Sequence, residues 1–199
     1  MDADGQNPRR LFDNKFVTLG KMEESKDGRY LAILEEGDYI GAVWVFDREN
    51  NELRKITEGS YESDTFSWSP APGHIITAPY VDPATGQINL WSFNLDDGTQ
   101  TRIAQHDLAS SPAWSPNRNG LAYVVPNYNA DTMQVRNERL RQTLKFPYAR
   151  DQGFSPFEFD WYGRKIVFSS AVPDSEYPEY ANSFIQIIDE DGNLIQITH

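Results

Sequence analysis

Short apolar runs separated by polar turns recur along the whole chain. Each run directly follows a glycine, and the four pairs are Gly28 with RYLAIL, Gly73 with HIITA, Gly120 with LAYVV and Gly163 with RKIVF. The glycines are separated by 45, 47 and 43 residues. Because a steady period of this length is typical of repeat architectures, the chain is predicted to contain four related units.

A second pattern, made of a strand, a polar turn and another strand, repeats in the same register. It covers residues 43–57, 88–104 and 184–198, and it ends each time on an isoleucine: Ile56, Ile103 and Ile197. The third unit has its equivalent at 133–146, where the alternation also fits a short helix. Each unit has one further strand before the glycine and another after it. Together with the two strands of the hairpin, these predict four strands in every unit.

Four-stranded units in tandem predict an all-β fold, a β-propeller of antiparallel blades. We expect one propeller region over 1–199, in which 1–12 end a preceding blade and the four blades cover 13–58, 59–105, 106–150 and 151–199. Since four blades are the lower limit for a propeller, we expect a fragment of a longer protein, with a ring of six to eight blades. The alternative is a whole protein whose copies self-associate to close one ring.

Two strings, SPAWSPNRNGLAYVV at 111–125 and MDADGQNPRRLF at 1–12, resemble the TolB-like propeller repeat, which is similar to WD repeats. The resemblance implies a non-catalytic scaffold or protein-binding module in the periplasm or another extracytoplasmic place. It equally allows the N-terminal propeller domain that gates a prolyl-oligopeptidase-type serine peptidase. The fold is therefore better indicated than the function.

Composition removes several classes of function. Thirty acidic residues against eighteen basic ones give a net charge of −12, which opposes binding to a phosphate backbone, so no nucleic-acid partner is expected. No apolar run is long enough to cross a bilayer, and the polar residues 1–10 lack the apolar core of a signal peptide. The absence of cysteine excludes disulfides and thiolate metal sites.

Catalytic and metal motifs give little support to an enzyme. There is no Gly-x-Ser-x-Gly segment, and the three histidines, His74, His106 and His199, share no motif spacing. His74 follows a turn glycine and is predicted to be a strand-edge residue. The acidic strings at 2–7 and 189–193 resemble calcium loops but lack the distal glutamate, so we interpret them as hairpin turns. We expect no catalytic residue, no metal and no cofactor.

The loops between the second and third strands of the units are the most promising surface. They lie at 35–41, 80–87, 126–132 and 172–183, and each contains tyrosine and aspartate. The candidate binding residues are Tyr39, Tyr80, Asp82, Tyr128, Asp131, Tyr177 and Tyr180. Tyrosine is enriched in protein interfaces, so these loops are hypothesised to bind a basic or polar protein or peptide. Alternatively, Tyr, Pro and Asp are simply favourable loop residues.

Overall fold

The computed structural model describes most of the predicted strands and many of the turns between them. The residues described are 10–11, 16, 18–36, 41–57, 66–103, 110–116, 121–127, 132–137, 142–147, 159–162, 165–173, 181–188 and 194–197. Over these ranges the chain forms strands and turns and no helix. Accordingly, the described residues contain no helix that could span a membrane.

Sixteen strands follow one another in the described part of the chain. The first two blades contain β1 (Thr18–Glu24), β2 (Tyr30–Glu36), β3 (Ala42–Asp47), β4 (Glu52–Lys55), β5 (Ser67–Trp68), β6 (Ile75–Val81), β7 (Ile88–Asn94) and β8 (Gln100–Arg102). The next two contain β9 (Ser110–Trp114), β10 (Leu121–Asn127), β11 (Thr132–Asn137), β12 (Gln142–Pro147), β13 (Phe159–Tyr162), β14 (Lys165–Pro173), β15 (Ala181–Ile188) and β16 (Leu194–Gln196).

The strands form four separate four-stranded sheets, each in simple chain order and antiparallel throughout. This confirms the prediction of an all-β chain made of four-stranded blades. In the third blade, β11 and β12 pair over their whole length, so this segment is a hairpin and the helical alternative is wrong. The hairpins also end alike, since the amide of Ile56 donates to Val43 O and that of Ile103 to Leu90 O, both at 2.8 Å.

Glycine is needed at the turn between the first and second strands of a blade. Gly28 and Gly73 have φ angles of 74° and 92°, a region that residues with a Cβ rarely adopt. In the first blade, Gly28 N–H donates to Ser25 O at 2.8 Å and closes the turn. Gly28 and Gly73 therefore mark turns, as the sequence pattern predicts, and Gly120 and Gly163 lie outside the described residues.

The main core lies between the first two blades. Phe66, which directly precedes β5, is fully buried there. Around it are the buried residues Tyr30, Ala32, Leu34, Val43, Val45, Ile76, Ala78, Phe93 and Leu95. Because both sheets contribute, the apolar surface of each blade is covered by its neighbour, which is the main stabilising term for such short strands.

A second core joins the second and third blades. It contains the buried residues Leu90, Leu121 and Tyr123, with Ile103 and Trp114 packed against them. Leu90 comes from β7, whereas Leu121 and Tyr123 come from β10. Alternate residues of β7 thus face different neighbours, as expected of a strand between two blades.

Candidate functional site

Each blade presents two opposite ends of its strands. In the first blade Tyr30 pairs with Asp47 at one end, and Glu35 pairs with Ala42 at the other. We call the end with the turns after β1, β3, β5 and β7 the turn edge. The other end, with the connections after β2 and β6, is the loop edge, and of the sequence-predicted binding residues the structure describes Tyr80 and Asp82 there.

The described part of the loop edge is the turn Asp82–Gln87. The Asp82 carboxylate accepts from the amide of Ala84 at 2.9 Å, and its carbonyl accepts from Gly86 N–H at 2.7 Å. Its own amide donates to Gln87 O at 2.8 Å. This connection is therefore a closed, hydrogen-bonded turn that Asp82 organises through both its backbone and its side chain.

Tyr80 lies in β6, two residues before the position where the loop begins. Its ring meets Trp91 and Phe93 edge to face, with centroid distances of 5.8 and 5.7 Å. The ring is partly buried against the core of the first two blades. The ring of Tyr80 thus leans along β7 away from the loop edge, since Trp91 and Phe93 lie farther from that edge than its own strand partner, Asn89.

The other predicted binding residues, Tyr39, Tyr128, Asp131, Tyr177 and Tyr180, lie outside the described residues. The acidic strings at 2–7 and 189–193 also lie outside them. Among the described residues no group of three or more His, Asp or Glu side chains is arranged to hold a metal ion.

Two buried polar atoms below the loop edge have no hydrogen-bond partner within the described structure. They are Nε1 of Trp91 and Oδ1 of Asn89, and Asn89 is fully buried. The two residues are two apart in β7, so their side chains lie on the same face of the strand. By contrast, the indole of Trp44 in the first blade donates to Glu35 at 2.8 Å. Strand β7 therefore has one buried donor and one buried acceptor without a described partner, and both are closed to solvent.

On the turn edge, His74 lies between two carboxylates. Its Nδ1 is 2.6 Å from Oδ1 of Asp96, and its Nε2 is 2.8 Å from Oδ2 of Asp27. Asp96 belongs to the β7–β8 turn of the same blade, whereas Asp27 belongs to the β1–β2 turn of the preceding blade. His74 directly precedes β6, the strand-edge position predicted from the sequence, although its two partners were not predicted.

The charges of this cluster shift its pKa values in opposite directions. Burial lowers the pKa of His74, but the hydrogen bonds to Asp27 and Asp96 outweigh it, and the net shift is upward. The pKa of Asp27 is held well below its usual range by the hydrogen bonds from His74, Ser25 and the Arg29 amide. That of Asp96 is lowered chiefly by its hydrogen bond with His74. Both carboxylates are therefore ionised at neutral pH.

A positional signal for this cluster is present in the sequence. Asp27 precedes the turn glycine of the first unit, and His74 follows that of the second. Periodicity shows that the two turns are equivalent but not that their side chains touch across the blade boundary. The contact depends on how adjacent blades are rotated, which no single repeat encodes.

No protein-family profile and no curated protein sequence matches the chain. Solved structures match it by shape. TolB from Acinetobacter baumannii superimposes with a TM-score of 0.62 and 13% identity, over 92% of this chain and 43% of that one. The β-propeller domain of the Trilobed protease from Pyrococcus furiosus gives 0.62 and 18%, over 93% of this chain and 58% of that one. Acylaminoacyl peptidase from Pyrococcus horikoshii superimposes with a TM-score of 0.59 and 13% identity, over 91% of this chain and 32% of that one.

These likenesses show the fold. The chain has the fold of TolB-like β-propellers, and the resemblance noted in its repeats is confirmed at that level. It spans about a third to six tenths of the length of the three structures. The same fold thus occurs in TolB and in the propellers of peptidases, so shape alone does not choose between these roles.

Proposed function

We propose that the chain is a non-catalytic propeller module that binds a basic or polar protein segment through its loop edge. The observation that carries this proposal is the hydrogen-bonded turn Asp82–Gln87, which holds an acidic side chain in a fixed position at this edge. A carboxylate that the fold already holds in place suits a contact with a lysine or arginine side chain.

Charge and rigidity support the same edge. The net charge of −12 attracts basic segments at long range. The Asp82 turn is closed by hydrogen bonds before any partner arrives, so little entropy is lost on binding. Tyr80 supplies a ring already fixed by its neighbours. An extracytoplasmic location belongs to the proposal, supported by the likeness to TolB.

The test removes charge without breaking the turn. Asp82→Asn keeps the oxygen that accepts the Ala84 amide, and Asp97→Asn is the matched control, since Asp97 accepts from Thr99 N–H in a turn at the opposite edge. We would screen lysine- and arginine-containing peptides by NMR titration. Asp82→Asn is expected to weaken binding about 2- to 5-fold, the size of an exposed charge contact, and Asp97→Asn to leave it unchanged.

If both variants weaken binding equally, only the overall charge of the chain attracts the peptide. If the NMR signals of the Asp82–Gln87 amides do not shift, the peptide binds elsewhere. Either result overturns the loop-edge proposal. Tyr80→Phe complements the test because it keeps the ring packing and removes only the hydroxyl group.

The second candidate is a propeller that gates a prolyl-oligopeptidase-type serine peptidase. Its support is the likeness to the propeller of the Trilobed protease and to acylaminoacyl peptidase. Finding a Gly-x-Ser-x-Gly segment downstream in the same reading frame would favour this candidate, and further propeller repeats there would favour the first.

A further inference from the structure

His74 connects two blades through a single ring. Its Nε2 contacts Asp27 of the first blade at 2.8 Å, and its Nδ1 contacts Asp96 of the second at 2.6 Å. We call these three residues the carboxylate clasp. It lies on the turn edge, away from the proposed binding surface, and it goes beyond the proposed function.

The number of protons on the ring decides how many of these contacts are hydrogen bonds. A neutral imidazole has one N–H and one lone pair, and an imidazolium has two N–H groups. Both carboxylates accept only, since each is ionised near neutrality. The clasp therefore has two hydrogen bonds when His74 is protonated and one when it is neutral, with a lone pair then facing a carboxylate.

The surrounding bonds determine which contact loses its proton. The His74 amide donates to Oδ2 of Asp96 at 3.1 Å while the ring contacts Oδ1, so this carboxylate is held from two sides within one blade. The Asp27 carboxylate is held by Ser25 and by the Arg29 amide, both of the first blade. Because the Nδ1 contact is also the shorter one, 2.6 Å against 2.8 Å, the neutral ring is expected to keep its proton on Nδ1 and to turn a lone pair toward Asp27.

We propose that the carboxylate clasp is a pH-sensitive joint: protonated His74 ties the first blade to the second, and deprotonation releases the Asp27 side without disturbing the Asp96 side. The joint closes below the pKa of His74 and opens above it. Because the two carboxylates raise the pKa of His74, the joint is expected to open at a higher pH than the ordinary pKa of histidine would set.

The other charged groups around the ring are occupied or keep their charge in this range. The guanidinium of Arg29 is bonded to Asp47 at 3.0 Å and to Glu49 at 3.1 Å. Tyr30 meets the imidazole edge to face at 4.7 Å, and burial raises the pKa of its hydroxyl, so it stays neutral.

The remaining charged residues on these turns make no described contact with the His74 ring. Arg48 bonds Glu24 and the Gly28 carbonyl, and Lys26 and Asp97 are exposed at the flanks. His74 is therefore the group of the described turn edge whose ordinary pKa lies nearest neutrality.

The sign of the effect on stability follows from linkage. A group whose pKa is higher in the folded than in the unfolded state stabilises fully below the unfolded value and loses that contribution as pH rises through the folded value. The clasp is thus expected to stabilise the chain at pH 6 and to contribute less at pH 8.

The direct test is an NMR titration of the imidazole nitrogens in the full 199-residue chain, with His74→Gln to assign the signal. We expect His74 to titrate above about 6.5 and its neutral form to carry the proton on Nδ1. Asp27→Asn should lower the midpoint, and Asp97→Asn, which removes the same charge outside the clasp, should leave it nearly unchanged. A midpoint below 6.5, or a neutral form protonated on Nε2, overturns the proposal.

A second readout keeps the proposal testable if a variant folds poorly. The thermal midpoint of wild type would be compared with that of His74→Gln from pH 5.5 to 8.5. We expect wild type to exceed the variant at low pH by about 2–4 °C, the shift that a modest stability difference produces in a chain of this size, and the excess to shrink at high pH. A difference in thermal midpoint that does not vary with pH overturns the proposal of a pH-sensitive joint.

Discussion

The junction between the first and second blades and the junction between the second and third have the same plan but different chemistry. In both, the tryptophan of a Trp-Ser-Pro sequence, at 68–70 and 114–116, contacts the preceding blade. Trp68 Nε1 donates to Glu23 O at 3.1 Å, and Trp114 Nε1 donates to Thr77 Oγ1 at 2.9 Å. The first junction adds charged contacts, whereas the bonds described at the second are between neutral groups. The stabilities of these two junctions are therefore expected to respond differently to pH and salt.

The polar contacts around Thr77 define the second junction. Thr77 is fully buried and shares a hydrogen bond of 2.8 Å with Ser92, while the Trp114 amide donates to Ser67 Oγ at 3.0 Å. None of these groups titrates between pH 5 and 8. At the first junction, Lys21 donates to Phe66 O at 2.9 Å and His74 contacts Asp27.

The largest effect is expected from emptying the core of the first junction. Phe66→Ala removes a fully buried ring and should lower the free energy of unfolding by about 3–5 kcal/mol. Leu90→Ala at the second junction is the matched change and should cost about 2–5 kcal/mol. Urea unfolding followed by tryptophan fluorescence measures both. A cost below about 1 kcal/mol for Phe66→Ala would contradict its place in the core.

A medium effect is expected from Thr77→Val, which keeps the side-chain shape. The change leaves the Trp114 indole without its acceptor and Ser92 without its partner, at a cost of about 1–3 kcal/mol for the buried groups. The loss should be equal at pH 6 and pH 8, unlike that of His74→Gln. A pH-dependent loss for Thr77→Val would remove the distinction between the two junctions.

The smallest effect is expected at Lys21, whose side chain is 42% exposed. Lys21→Met removes the contact with Phe66 O and keeps the alkyl chain near the ring, so the cost should be below about 1 kcal/mol. Because the contact with Glu23 is exposed, the difference should shrink further in 1 M salt. Chemical unfolding at two salt concentrations checks this, and a salt-independent loss would argue for packing instead of charge.

The sequence predicts the blades better than the site, for physical reasons. Turn glycines and alternating strands act locally, so Gly28 and Gly73 reveal the repeat without knowledge of its packing. The start of the loop near Tyr80 was less predictable. Tyrosine is a suitable loop residue, yet Tyr80 continues strand β6, because its ring packs on Trp91. The clasp was not predictable, since Asp27 and His74 meet only once two blades are stacked.

The chain-order pairing of the strands has a consequence for synthesis. Every hydrogen-bonded strand pair in the described sheets joins consecutive strands, so no blade waits for a distant segment before its sheet is complete. Local pairings close short loops and form quickly. As the polypeptide leaves the ribosome, each blade can fold as soon as its own four strands have emerged, and it then offers a finished apolar face to the next.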